Sequence, residues 1–540
     1  MARRVSAMLA ALVFVAGCSL LPGHDDAPSG PSTPPSTSWR AVDRDDVRDG
    51  GRLTLATDAM PSNFNPQHVD GAGTEVAELL APTTGSAVRL TADGGWKVDP
   101  DYAESVTLSD TDPQTVSVRL NPRAIWSDGT AITADDMIAF WKAQNGSDDA
   151  FEVASTAGWD DIADVREGSD EFSYVVEFDK PIAEWPLLVY PRLPDEVTSD
   201  PASFNEGFTE RPSPSSGPFV IDEVDREGGM ISQVPNPRWW GDDPKLDRIV
   251  WRVAAPQVAA KAYRAGELDA VRLDAETYVV AGDRGDIRRA AGLEWSHVTM
   301  NAAGGPLADQ KLRRAVALAL DRQAIADAVA RDVGALGVVQ DSMIYVPGQR
   351  GYTPTGAKAI AHDPAKTREL LADAGYGGDK PLTLRMPVPD DTPSNLERAK
   401  LVRDQLAEVG IVVKLESVAP GDFFASRVIP LDFDLVTFTW TGSAFPIEMS
   451  RPRFNPADSP QNFTGLDDDK LGKLWNTATA TLTGSAQADA VRAVDERLFE
   501  RVPIVPLAML PEVMAVDDDV VNYGVSQFEA PDFTVVGFRG

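Results

Sequence analysis

Catalysis needs side chains in set relations, and this chain offers few of them. Its four histidines, His24, His68, His297 and His362, are scattered singly, so none forms the i, i+4 pair of a helical zinc site. The nucleophile elbow Gly-x-Ser-x-Gly, the His-Glu-x-x-His motif, the P-loop and Gly-x-Gly-x-x-Gly are absent from the sequence. Carboxylates are abundant, 83 Asp plus Glu, but no pair is singled out for acid–base work. The chain therefore reads as one that binds rather than transforms, with no cofactor or metal expected. One covalent chemistry does stand out. Cys18 is the only cysteine in 540 residues, which excludes an intramolecular disulfide and a cysteine-rich metal site.

Cys18 closes the string Val15-Ala16-Gly17-Cys18-Ser19, behind the basic pair Arg3 and Arg4 and an apolar stretch over residues 5–16. That stretch is too short to span a bilayer and has the form of a signal peptide over residues 1–17. A cleavage site ending on cysteine resembles the bacterial lipobox. The implied outcome is a mature chain that starts at a lipidated Cys18, tethered to the extracytoplasmic face of the cell membrane. Each buried acyl CH₂ contributes about 0.8 kcal/mol, so two or three chains hold stably where one does not. Residues 21–38 are dominated by Pro, Ser and Gly, and residues 18–48 are assigned to the anchor and a disordered tether.

Net charge is −33, and residues 1–17 hold two arginines and no acid, so the chain without them carries −35. A field of that sign argues against nucleic acid as a partner and favours solubility. The runs Asp467-Asp468-Asp469 and Asp517-Asp518-Asp519 lack the Gly and distal Glu of an EF-hand loop, and read as solvated surface or helix starts. About 490 residues remain after the tether, too many for one core, so two or three domains are expected.

Strand-like and helix-like segments alternate along those residues, which argues for α/β lobes. Gly51-Arg52-Leu53-Thr54-Leu55-Ala56-Thr57 alternates as a strand and runs into the turn-rich Pro61-Ser62-Asn63-Phe64-Asn65-Pro66. Residues 103–120 read as two strands around the turn Ser109-Asp110-Thr111-Asp112-Pro113. Asp128-Gly129 marks a hairpin, and Thr133 with Asp136 has the form of a capping box. Apolar spacing predicts one helix over residues 310–331. A second spans 364–374, with Asp363 as N-cap and Gly375 after its end, and a third runs from Pro393 to Val409. Strands follow at residues 411–415 and 433–440. In open α/β sheets ligands sit beyond the C-terminal ends of strands, so the loop after Trp440 is a candidate cleft mouth.

The order of several short motifs resembles family 5 of the bacterial extracellular solute-binding proteins, the peptide- and nickel-binding group that serves ABC importers. They include Gly50-Gly51-Arg52-Leu53 leading to Phe64-Asn65-Pro66, and Trp126-Ser127-Asp128-Gly129-Thr130 with Thr133-Ala134-Asp135-Asp136. Ser216-Gly217-Pro218-Phe219, Asn236-Pro237-Arg238-Trp239-Trp240-Gly241, Ala265-Gly266-Glu267-Leu268-Asp269, Arg313-Arg314-Ala315 and Asp363-Pro364-Ala365-Lys366 continue the series. The resemblance implies an α/β type II periplasmic-binding-protein fold, with two lobes, a ligand cleft between them and an extra domain inserted in the first lobe. The expected division is lobe I at 49–82, 208–296 and 509–540, the inserted domain at 83–207, and lobe II at 297–508. It also implies a monomer that takes a small solute or peptide and delivers it to an ABC permease and its ATPase. Segments such as Ser155-Thr156-Ala157-Gly158-Trp159-Asp160 and Val346-Pro347-Gly348-Gln349-Arg350 resemble an actinobacterial branch that includes LpqW-like lipoproteins. That branch is associated with phosphatidylinositol mannoside and lipomannan assembly rather than uptake.

Residue by residue, the ligand site departs from the family's peptide binders. Their Trp-x-x-Asp, whose Asp pairs with the peptide ammonium, corresponds here to Trp440-Thr441-Gly442-Ser443. A serine cannot form the ion pair that offsets burying an ammonium. Where dipeptide binders carry an Arg for the peptide carboxylate, this chain has Met386-Pro387-Val388-Pro389 followed by Asp390 and Asp391. Free dipeptides are therefore not the expected ligand. Trp440 reads either as a stacking wall or as the buried end of a core strand, and Trp239 and Trp240 read as packing residues of the first lobe. Asp58, Met60 and Asn63 are cleft-edge candidates, and Asp390 and Asp391 either greet a cationic or hydroxyl-rich ligand or form a solvated loop. Ser443 completes the candidate set.

Overall fold

The computed structural model describes residues 35–482 and 484–540; Cys18 and the signal segment lie outside them. Lobe I is built on a mixed sheet in which Phe219–Asp225, Met230–Pro235 and Arg248–Val253 are antiparallel neighbours. Arg248–Val253 then runs parallel to Arg52–Thr57, residue 248 opposite residue 52. A second sheet pairs Glu512–Val516 with Ala270–Leu273 on one side and Asp286–Ala290 on the other. Phe219 and Ile249 are fully buried, while the edge strand Phe219–Asp225 leaves Asp222 and Glu223 exposed.

The inserted domain is an antiparallel sheet ordered Ala103–Thr111, Gln114–Leu120, Ser173–Phe178, Ile162–Glu167. Helix Ala134–Gln144 lies beside it, and Asp136 Oδ2 accepts the Thr133 N–H at 2.7 Å, one arm of the expected capping box. Its apolar side chains run continuously into those of lobe I, from Leu53 through Phe140 to Val536, so these two parts share one core. Lobe II has a separate core, to which the inserted domain contributes only Ala183.

Lobe II centres on Glu294–Met300, flanked antiparallel by Leu435–Thr441 and Ile504–Met509. Beside it Leu382–Pro389 and Ile411–Val418 run parallel, joined by helix Pro393–Glu408. This is the helix-then-strand crossover read from the sequence. Gly410 at φ 89° ends the helix and Gly375 at φ 80° ends Pro364–Asp373, both in the left-handed region that glycine adopts freely.

Two expectations are corrected. The single helix over residues 310–331 is two, Gln310–Ala319 and Arg322–Arg331, because Asp321 leaves the helical conformation and accepts the Ala324 N–H at 3.0 Å as an N-cap. Residues 35–48 are not part of a loose tether. Thr37–Trp39 pairs with Gly524–Ser526, and Val47–Arg48 pairs with Gly537–Arg539, so the hydrogen bonds of the chain's far end tie them to lobe I.

The chain passes between the lobes where Asp286–Ala290 gives way to Glu294–Met300 and where Ile504–Met509 gives way to Glu512–Val516. The two crossings touch. Leu510 N donates to Glu294 O at 2.8 Å, and a Cβ on Gly292 would lie 2.1 Å from Leu510 O. Gly292→Ala is therefore expected to cost about 1–3 kcal/mol in urea denaturation, as overpacking does; an unchanged midpoint would show that the crossings separate freely.

Candidate ligand-binding cleft

Strand Leu435–Thr441 alternates β-branched and aromatic residues and is buried along most of its length. Trp440, near its end, is 8% exposed. Its ring meets Trp295 edge-on at 5.4 Å, lies 4.3 Å from the His297 ring, and packs against Phe454 at 5.5 Å. The guanidinium of Arg453 sits 4.8 Å above it and also donates to Thr441 O at 3.1 Å. Trp440 is thus the buried end of a core strand with an arginine as its cover.

Charge around this ring is positive. Arg398 donates to Thr437 Oγ1 at 2.7 Å and to Asn395, and burial lowers it and Arg453 to about 10. Neither has a carboxylate partner among the described residues. His297 is fully buried, and desolvation, followed by the two arginines, pushes it well below its usual range, so it stays neutral. Its Nδ1 lies 3.1 Å from Thr299 Oγ1.

The loop after the strand is held to the lobe crossing, since Gly442 N donates to Leu293 O at 2.8 Å. Ser443 Oγ then accepts the Phe445 N–H at 3.1 Å, and its carbonyl accepts Gln349 Nε2 at 2.8 Å, so the serine is spent on shaping the entry to helix Pro446–Phe454.

Beside this loop a cavity of about 470 Å³ opens between two bodies. Trp96, Glu184 and Trp185 line it from the inserted domain, and Tyr345, Phe445 and Ile447 from lobe II. Trp96 and Trp185 meet edge to face at 5.2 Å. Two contacts close its rim. Glu448 N, in the first turn of helix Pro446–Phe454, donates to Glu184 Oε1 at 2.9 Å. Arg350 of lobe II pairs with Asp93 at 2.9 Å and donates its backbone N–H to Asp93 O at 2.7 Å. Burial pushes the Glu184 carboxyl up to about 8, with the Glu448 N–H bond offsetting only part of that. Burial and the neighbouring Glu184 raise the Tyr345 phenol to about 12.

Residues 97–459 match the family model of bacterial extracellular solute-binding proteins, family 5. The chain belongs to this family. It is 33% identical over 507 residues to the oligopeptide-binding protein OppA of Mycobacterium tuberculosis, covering 91% of this chain and 85% of that protein. It is 26% identical over 624 residues to LpqW of the same species, named a probable monoacyl phosphatidylinositol tetramannoside-binding protein, with 97% and 96% coverage. Among solved structures it is similar to the oligopeptide-binding protein AppA of Bacillus subtilis in complex with a nonapeptide, with TM-score 0.68, 18% identity, and 92% and 100% coverage. The fold is that of the type II periplasmic binding proteins, and the chain is a binding protein rather than an enzyme.

In this family 5 protein the candidates drawn from the sequence do not form one cluster. Asp58 is exposed at the end of Arg52–Thr57 and lines a different cavity of about 380 Å³ inside lobe I, with Glu75, Asp274 and Arg272. Arg272 is already engaged, pairing with Glu512 at 3.0 Å and with Glu78. Met60 is half-buried against the lobe I core. Asn63 is 1% exposed and both ends of its amide serve the backbone, Nδ2 donating to Asn205 O and Oδ1 accepting from Asn65 N, each at 2.9 Å. It shapes the loop and offers nothing to a ligand. Asp390 and Asp391 are exposed at the end of Leu382–Pro389 and line neither cavity. The tilted rings of Trp239 and Trp240 lie 4.5 Å apart, and both pack on Tyr102 of the inserted domain, at 5.8 and 5.5 Å. Glu184, Trp96, Trp185 and Tyr345 carry no spacing signal in the sequence, because a three-residue strand, a single 3₁₀ turn and a loop are each too short to show a period.

Trp440→Ala is expected to destabilise the protein by about 3–5 kcal/mol, the cost of deleting a buried aromatic. Unchanged thermal stability with a loss confined to ligand affinity would restore the stacking-wall reading.

Proposed function

We propose that this protein captures a small solute or peptide in the cavity between the inserted domain and lobe II, and delivers it to an ABC permease driven by its ATPase. Hinge motion at the two lobe crossings closes the cavity on its ligand. Lipid on Cys18 holds the protein at the extracytoplasmic face of the cell membrane, and it acts as a monomer. The observation that carries the reading is a cavity walled by two bodies with separate apolar cores. Similarity to an oligopeptide-binding protein over 91% of the chain supports a peptide-like ligand. A second reading, envelope glycolipid assembly, draws on the alignment with LpqW along 97% of the chain.

Denaturing protein purified gently from its own cell envelope and analysing the released molecules by mass spectrometry separates these readings. A peptide longer than two residues or another small solute is the expected result. A mannosylated lipid would move the protein to the second reading, and a recovered dipeptide would overturn the exclusion of dipeptides. Cys18→Ser is expected to shift the protein from the membrane fraction to the soluble fraction; retention on the membrane would remove the lipid anchor.

A further inference from the structure

The cavity carries a chemical preference that the family resemblance does not assign. Ser443, at the position where peptide binders place an acid, is consumed by its own loop. An acid nonetheless reaches the cavity from the opposite body. Glu184 projects from the inserted domain, and one of its oxygens binds the Glu448 N–H, but Oε2 is buried without a partner among the described residues. Glu448 Oε1, one residue beyond the lining residue Ile447, is also buried without one. A buried carboxyl oxygen with no partner is an exception in a folded protein, and a ligand donor would satisfy it. The surrounding walls, Trp96, Trp185 and Tyr345, are aromatic and suit a cation. Among the described residues the one cation lining the cavity, Arg350, is taken up by Asp93 at the rim.

We propose that Glu184, assisted by Glu448, receives a primary ammonium group of the ligand, replacing from the inserted domain the acid missing at Ser443. This rests on the capture reading above and names the ligand chemistry of the same cavity.

Protons supply a signature. The groups facing Glu184 are Glu448 on its helix, Tyr345 on the lobe II loop, and Arg350, already neutralised by Asp93. Burial raises Glu184 to about 8, so without a cationic partner it holds its proton at pH 7. An ammonium favours the carboxylate, so binding expels that proton to solvent. Affinity for a peptide ammonium must then rise with pH, about tenfold per unit up to pH 7, and turn down above about pH 8, where the α-amino group itself loses its proton.

The test uses the full-length protein and two random tetrapeptide libraries, one with free amino termini and one N-acetylated and free of lysine, read by affinity selection and mass spectrometry. Wild type is expected to retain free-amine peptides at least tenfold over acetylated ones, with affinity rising about tenfold from pH 6 to pH 7. Glu184→Gln keeps an acceptor for the Glu448 N–H, so the rim contact survives, while the preference and the pH slope are expected to vanish; Glu448→Gln should weaken the preference from the lobe II side. Equal retention of both libraries, retention of neither, or a preference that survives in Glu184→Gln would overturn the proposal. A neutral or anionic solute released from the native protein would keep the capture reading and remove this one.

Discussion

The architecture depends on the paired crossing between the lobes. The apolar cores are largely separate, with Ala183 and Phe528 of the other body entering that of lobe II, so directional contacts take a large part in setting the relative position of the two bodies. Two chain segments pass side by side, with Gly292 pressed so closely on Leu510 O that no side chain fits between them. Leu293, the next residue, accepts the Gly442 N–H at the start of the loop that lines the cavity. A rotation at the crossing would therefore be passed through two residues to the cavity wall. The far side of the same wall, helix Pro446–Phe454, meets Glu184 of the inserted domain, so hinge and rim sit at opposite ends of one short segment.

Buried arginines make that wall rigid. Arg313 is 1% exposed and donates to Leu307 O at 2.8 Å and Arg501 O at 2.9 Å, tying a helix to the segment before Ile504–Met509. Arg322 donates to Gln340 O at 3.0 Å and pairs with Asp341 at 2.8 Å. Gln340 in turn donates to Tyr345 O at 2.9 Å, and Asp495, raised by burial to about 7, accepts the Met343 N–H at 2.8 Å. Guanidinium groups suit this work because several fixed donors satisfy several carbonyls at once. Arg322 thus supports the Tyr345 loop through Gln340, while Arg313 ties the turn at Leu307 to Arg501.

What could be read from the sequence is what local chemistry decides. Asp363 accepts the Lys366 N–H at 2.9 Å, Pro364 opens the helix and Gly375 ends it, all within a dozen residues. The motif order carried the fold for the same reason, since each piece is a local turn or cap. Readings failed where distant partners decide. Residues 35–48 look like linker by composition, yet they complete sheets whose other strands lie near the C-terminus. Apolar spacing continued through residues 320–321, and only the capping role of Asp321 breaks it. Asn63 resembled a cleft-edge amide, and partners 142 and 2 residues away consume it. The contact between Glu184 and Glu448 spans 264 positions and obeys no period.

Two acidic features of the protein act over different ranges. A net charge of −33 raises the concentration of cations near the surface, but at physiological salt its reach is limited to about 8 Å beyond the charges, and it does not tell one cation from another. A buried carboxyl oxygen such as Glu184 Oε2 is screened far less, and would discriminate by geometry as well as by sign. Placing that carboxyl on the inserted domain rather than on the lobe II loop has a mechanical consequence. A ligand held only by lobe II would leave the open state as stable as the closed one, whereas a ligand that satisfies Glu184 while touching Phe445 and Ile447 joins both bodies. Its binding free energy then favours closure directly, because only a ligand with different affinities for two states can shift the balance between them.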